Sequence, residues 1–488
     1  MRTQNRFRFA VLAGALLLAA CGGGGDDPVA VAPAPVVPEE TRAQDSRTFA
    51  PLDPTATTFA AMDNQVAVTS RWAGVLNGAA YRVEVPSNWN GKLVMYAHGF
   101  RGEGSALTVS NPSIRRYLIE QGYAWAASSY STNYYDVRAG VEDTNALALA
   151  FNNIAAANGR ALPAPDRIYI TGHSMGGHVT GAAIEAEATA TARNKVRYHG
   201  AVPMCGVMGD AELFNRFAGM QVTAQALAGV PSYPTNKWSE ISTLVTNTLF
   251  SVFTSANIVP TAQGVKYLSV VENLTGGNRP LFDQGVLFGR SFQSAYGTFG
   301  SDGTVTGILN RNVLDTNALN YVIEGDGPGS DALNASAQKL TAAPDANRLR
   351  TDGLRWIPAI NGEFNIPVVS IHTLGDLFVP FSMQQVYQER TAAKGNANWL
   401  VQRAIRGASH CDFTVAEQVQ AFEDMVVWEQ TGVKPAGDDV MTPATVADPD
   451  YGCTFTNNTI GVDDVGGAAS LFRPAIANAL PGACTAPI

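Results

Sequence analysis

Ser174 is the residue on which the chemistry of this sequence converges. It stands in Gly172-His173-Ser174-Met175-Gly176-Gly177, after a β-rich run over 166–172 and before a helical stretch over 175–191. A turn from strand to helix that tight admits only glycine two residues either side of the serine. It lifts the hydroxyl to a helix N-terminus, where amide N–H groups and the helix dipole favour a developing anion. A serine hydroxyl is a weak nucleophile until a base takes its proton, so a histidine must reach it. The candidates are His98, His173, His178, His199, His372 and His410. His173 points away from its neighbour on so sharp a turn, and His178 falls inside the following helix. His98 ends a strand, His199 begins one and His372 lies within one. His410 alone sits in a polar loop, Gly407-Ala408-Ser409-His410-Cys411-Asp412, after the last predicted strand and before a helix. The acid that would orient this base is expected between the two, at the end of the preceding strand. Asp376, in Thr373-Leu374-Gly375-Asp376, is the stronger candidate and Asp210 its competitor.

These residues need a frame. Short β-rich runs recur at 80–86, 91–97, 123–130, 166–172, 198–205, 366–374 and 399–406, with helical patterns at 137–158, 175–191, 381–393 and 415–431. Uniformly apolar strands alternating with helices predict an α/β architecture, a mostly parallel sheet covered on both faces. The first two runs read as a hairpin pair turning at Ser87-Asn88-Trp89-Asn90-Gly91. Residues 207–365 are far too many for a loop and must carry structure of their own. Aromatic residues there, such as Phe214, Phe217, Trp238, Phe250 and Tyr296, are expected mainly to form that insertion's own core, with some lining an apolar pocket.

The order Ser174, Asp376, His410, in these settings, resembles the α/β-hydrolase family over about residues 75–430, the insertion excepted. A fourth matched site is His98-Gly99-Phe100-Arg101-Gly102, similar to the family's H-G-x-x-G turn after its third strand. The resemblance implies an α/β-hydrolase fold with a large lid, an acyl-enzyme mechanism, and an oxyanion hole made by the backbone N–H groups of Phe100 and Met175. Arg101 departs from the pattern and would recruit an anionic substrate group. Four cysteines beyond Cys21, namely Cys205, Cys411, Cys453 and Cys484, allow three pairings. Cys411 follows the candidate base and Cys205 ends the strand beside the nucleophile's strand, so both belong on the same rim. Cys205–Cys411 with Cys453–Cys484 is therefore the favoured pairing. Feruloyl esterases and tannases similarly tie a cysteine beside the histidine, but theirs pairs with a cysteine just before the serine, where this chain has His173.

The remainder bounds the setting. The chain has 488 residues, 46% hydrophobic and 15% charged, which excludes a disordered or coiled-coil protein. Its net charge of −9, with no basic footprint, argues against nucleic acid as a partner. Arg2, Arg6 and Arg8 precede an apolar run over 9–20 ending in Leu18-Ala19-Ala20-Cys21. This reads as an export signal, and it resembles a bacterial lipobox, which implies acylation of Cys21. With Gly22 next, the implied address is the cell envelope, lipid-anchored on the periplasmic or surface face of the outer membrane, or secretion. The expected organisation is a signal over 1–20, a flexible tether over 21–50, core over 51–206, lid insertion over 207–365, core again over 366–432 and a disulfide-stapled tail over 433–488. The expected activity is cleavage of carboxylic esters, bulky or polymeric ones included, without cofactor or metal. A peptidase or amidase, a β-diketone hydrolase and a non-catalytic surface binding lipoprotein are the alternatives.

Overall fold

The computed structural model describes residues 40–51, 57–64, 67–255, 257–301, 308–481 and 484. The export signal, Cys21 and residues 21–39 of the tether lie outside them.

Eight strands form the central sheet: β1 (Thr69–Leu76), β2 (Ala79–Pro86), β3 (Lys92–Ala97), β4 (Ala124–Ser128), β5 (Arg167–His173), β6 (Gly200–Met204), β7 (Val368–Thr373) and β8 (Leu400–Ile405). Their spatial order is 1-2-4-3-5-6-7-8. β2 runs antiparallel to both β1 and β4, and every other pairing is parallel. Side chains alternate between two covered faces, as the period of two requires. Leu93, Met95 and Ala97 pack with Val141 and Phe151 of α1 (Val137–Ala157) and Val179 of α2 (Met175–Ala183). Val94 and Tyr96 face the other layer, with Phe422 and Met425 of the helix Val415–Thr431. Burial on both faces is why these strands read as unbroken apolar runs.

The expected hairpin of 80–86 with 91–97 does not form. β4 inserts between those strands, and β2 instead pairs with β1 through a turn at Asn77-Gly78. Both turn residues have positive φ, 50° and 87°, which suits Asn-Gly and matches the twist of the strands they join.

The insertion contains α3 (Glu212–Leu227) and helices Trp238–Leu249 and Ala262–Leu274, with a small hairpin between the latter two. Trp238, Phe250, Phe253, Tyr267, Phe292 and Tyr296 pack on one another as the insertion's own aromatic core. After it come β7, α4 (Ser382–Ala393), β8 and α5 (Val415–Thr431). A capping box starts α5: the Thr414 hydroxyl accepts from the Glu417 amide at 3.2 Å, and the Glu417 carboxylate accepts from the Thr414 amide at 2.8 Å.

One segment departs from its expected role. The tether over 21–50 is described from residue 40 onward, and there it is docked. Arg42 is buried against Trp356, donates to the Ile308 carbonyl and pairs with Asp136, while Ala50 and Pro51 pair with Ala106 and Leu107. The tail, stapled by Cys453–Cys484, also includes α6 (Ala468–Ala479), which buries Ala469, Phe472, Arg473 and Ile476 along one face. Its first part returns along β8: the Asp438 amide donates to Gln402 O at 2.7 Å, and its carboxylate accepts from the Ala404 amide at 2.8 Å. Among the described residues no helix is long and apolar enough to cross a membrane.

Candidate active site

Ser174 follows β5 directly and caps α2 with φ 59° and ψ −122°. A non-glycine residue there is strained, and the surroundings hold it in place. The Ser174 amide donates to Met204 O at 3.0 Å and its carbonyl accepts from the His178 amide at 3.1 Å. The flanking glycines are sterically required. A Cβ at Gly172 would lie 2.6 Å from Ala97 O, and one at Gly176 would run into the same carbonyl. Any side chain at either position would push α2 off β3.

His410 Nε2 lies 2.8 Å from the Ser174 hydroxyl, and His410 Nδ1 lies 2.6 Å from Asp376 Oδ2. A carboxylate only accepts, so Nδ1 carries the proton and Nε2 is free to take one from the serine. Asp376 is fully buried, and its Oδ1 accepts the amides of Phe378 and Val379 at 2.9 and 3.0 Å. Both its oxygens are therefore satisfied, as a buried charge requires. The His410 side chain remains 21% exposed, so the serine–histidine pair is open to an incoming molecule.

The loop carrying His410 is held at several points. Thr373 Oγ1 donates to Ser409 O at 2.8 Å, Ser409 Oγ donates to Gly289 O of the insertion at 2.6 Å, and the Ala408 amide donates to Asp412 Oδ2 at 2.9 Å. Cys411 is joined to Cys205, and Cys453 to Cys484, the favoured pairing. Cys411 Sγ lies 3.4 Å from His410 Nε2. Cys205, His410 and Cys411 have the proximity of metal ligands, but the two sulfurs are bonded to each other and offer no thiolate.

Gly99 brings the turn after β3 against Ser174, since a Cβ there would sit 3.2 Å from Ser174 Cβ. His98 Nδ1–H donates to Gly99 O at 2.7 Å, and its ring stacks on Tyr130. In a trans peptide the N–H points opposite to the carbonyl, so the Phe100 N–H faces away from His98. Met175 is the first residue of α2, where the amide has no partner within its own helix. Burial pushes His98 and His173 down to about 4 and keeps both neutral. His173 bonds Tyr96 and Gln418, not Ser174. His178 is buried against Tyr135 and Pro358 O, and His372 against Val379 O and Gln384. His199 accepts the Ile168 amide. Asp210 pairs with Arg390 at 2.7 Å and accepts the Ile360 amide at 3.0 Å, so it does not serve His410. Arg101 is exposed and donates to Ser110.

The serine thus stands on the elbow after the fifth strand of a sheet ordered 1-2-4-3-5-6-7-8, its acid after β7 and its histidine after β8. This is the α/β-hydrolase fold. No family model matches the chain. An o-phthalyl amidase from Xanthobacter agilis is 23% identical over 427 residues, spanning 76% of this chain and 89% of that protein. Feruloyl esterase B from Aspergillus oryzae aligns over 80% of this chain and 86% of its own, at 15% identity and TM-score 0.43. Candida antarctica lipase A in its closed state aligns over 78% and 81%, at 14% identity and TM-score 0.38. With TM-scores this low, the α/β-hydrolase fold rests on the strand order and the elbow.

One residue at this α/β-hydrolase site escaped the sequence reading. Phe378 sets its ring edge-on to His410, centroids 5.6 Å apart, and stacks at 5.7 Å on Phe217 of α3. Phe378 is two residues past Asp376 in the same turn, a position that could have flagged it. Phe217 is among the insertion aromatics expected to form a core or line a pocket, and the fold brings it against Phe378.

Proposed function

We propose that the chain is a serine hydrolase cleaving carboxylic esters through an acyl-enzyme. Ser174 Oγ attacks the ester carbonyl carbon as His410 Nε2 takes its proton. The carbonyl oxygen becomes an oxyanion, held by the N–H groups of Phe100 and Met175. Asp376 keeps the imidazole in the correct tautomer and stabilises the imidazolium. Collapse expels the alcohol, which takes the proton from His410. Water, deprotonated by the same ring, then attacks the acyl-enzyme and releases the acid and Ser174. The observation carrying this reading is the continuous relay Ser174–His410–Asp376, with both contacts at 2.8 Å or less, ending on a strained serine. The test is labelling by a fluorophosphonate with Ser174→Ala as control, followed by a panel of aryl esters, aminoacyl amides and β-diketones. Labelling that persists in Ser174→Ala would sink the assignment.

Amide cleavage by the same residues is the second reading, favoured by the 23% identity with a protein named as an amidase. The same panel decides between them.

The sequence at Leu18-Ala19-Ala20-Cys21 supports export and acylation of Cys21, which would place the enzyme at the cell envelope, on the outer membrane. Anchored there, it would meet esters too bulky or polymeric to import. Incorporation of labelled palmitate, lost in Cys21→Ser, tests the anchor. Equal cleavage of short soluble and polymeric esters by intact cells would argue against the substrate class.

A further inference from the structure

Ser174 lies at the C-terminal ends of the parallel strands. At their opposite ends, where β6, β7 and β8 begin, a second groove opens. One cavity of about 620 Å³ runs between the segments before these three strands and the end of α5, and a second of about 540 Å³ adjoins it. The two share Arg197, Tyr198, Asn365 and Ile366, so they form one elongated trough.

Its floor at one end is aromatic. Trp399 is 37% exposed and lies parallel to buried Trp428, at 17° and 6.2 Å between centroids. The buried ring fixes the exposed one. Around it the side chains of Arg197, Asn365 and Asn398 are exposed and make no hydrogen bond or ion pair among the described residues. Lys195 and Lys434 flank them. The acid of the trough, Glu429, is already engaged by Arg167 at 2.8 Å and the Tyr169 hydroxyl at 3.0 Å. A locally cationic strip with an exposed ring therefore sits on a chain whose net charge is −9.

A fixed indole face takes a flat apolar face, exposed amides take hydroxyls, and cations with no acid paired to them among the described residues take carboxylates. A single aromatic carboxylate would occupy one cavity and leave the other idle, whereas a chain of rings uses both. We propose that this trough binds an acidic polysaccharide, a chain of sugar rings bearing carboxylates, at a site separate from the one holding Ser174. The proposal does not depend on which bond that serine cleaves.

Native gels containing polygalacturonate or a neutral β-glucan test it on the full chain. Polygalacturonate is expected to retard the protein, and Trp399→Ala to weaken the affinity about tenfold, the equivalent of one aromatic stacking contact. Arg197→Gln, at an exposed position that leaves folding intact, is expected to weaken it similarly. Hydrolysis of a small ester should be unchanged in both. The proposal is overturned by no retardation of the native chain, or by retardation undiminished in the two variants, which would mark simple ion exchange. Equal retardation by the neutral glucan overturns the acidic assignment.

Discussion

Arg473 reaches from the tail helix α6 to the back of the His410 loop, where its Nη2 donates to the Asp412 main-chain carbonyl at 2.6 Å. The same guanidinium meets Asp412 Oδ1 at 3.5 Å and Glu417 Oε2 at 3.0 Å, all three side chains being buried. One cation thus serves two buried acids behind His410. Arg473→Met strands both carboxylates, and loss of one partner from a buried ion pair costs about 3–5 kcal/mol. The expected outcome is a lower unfolding temperature together with a fall in kcat at unchanged KM, read by calorimetry and ester kinetics. Arg473→Lys should recover part of each.

Asp376→Asn keeps the shape of the acid but turns an acceptor into a group that can also donate, which favours the wrong tautomer of His410. A fall in kcat of about 10⁴-fold is expected, with fluorophosphonate labelling slowed in parallel. Activity near that of the unsubstituted enzyme would reassign the orienting acid.

Gly176→Ala sets a methyl group against the Ala97 carbonyl. Neither partner can yield, since one belongs to β3 and the other to the first turn of α2. Overpacking of this kind costs about 1–3 kcal/mol, and the displaced elbow should lose ester turnover even where the protein still folds. Urea unfolding and turnover measured on the same preparation check both parts.

Replacing Cys205 and Cys411 together by serine opens a link across 206 residues of chain. On the chain-entropy account a loop this long contributes about 5 kcal/mol. It also frees the residue next to His410. Loss of stability and of kcat are both expected, whereas replacing Cys453 and Cys484, whose separation is 31 residues, should cost less of each.

Stability should respond to acid through two opposed groups. His98 and His173 stay neutral down to about 4 when folded but take protons near 6.5 when unfolded, so each withdraws stability as pH falls from about 6.5 to 4. Burial pushes Glu417 up to about 7 and Glu185 likewise. Folded, they keep protons that the unfolded chain releases above about 4.5, so they add stability as pH falls through that window. Glu417→Gln removes part of this compensation. Its stability relative to the unsubstituted protein should worsen between about pH 7 and pH 5, as measured by urea unfolding at the two values.

Ser174, Asp376 and His410 could be read from sequence because each stands at a strand end with its own local signature. Glycines fix the first, and polar loops fix the other two. The sheet was legible wherever burial on both faces made strands uniformly apolar. β1 was missed because Thr69–Leu76 mixes exposed Arg71 with buried Trp72, although Asn77-Gly78 marked a hairpin there. The pairing of β2 with β4 instead of β3 is long-range, and adjacency in the chain misled. Arg473 gave no signal, since its partners lie about sixty residues upstream and only tail docking joins them.

The return of the tail along β8 has a further outcome. An outermost strand with bare amides and carbonyls is a template for another chain's strand. Here Asp438 takes up Gln402 O and the Ala404 amide, and Thr456 accepts the Arg406 amide at 2.9 Å. That flank of the sheet is thereby closed to strand addition, and self-association by sheet extension would have to begin at β1, on the other side of the molecule.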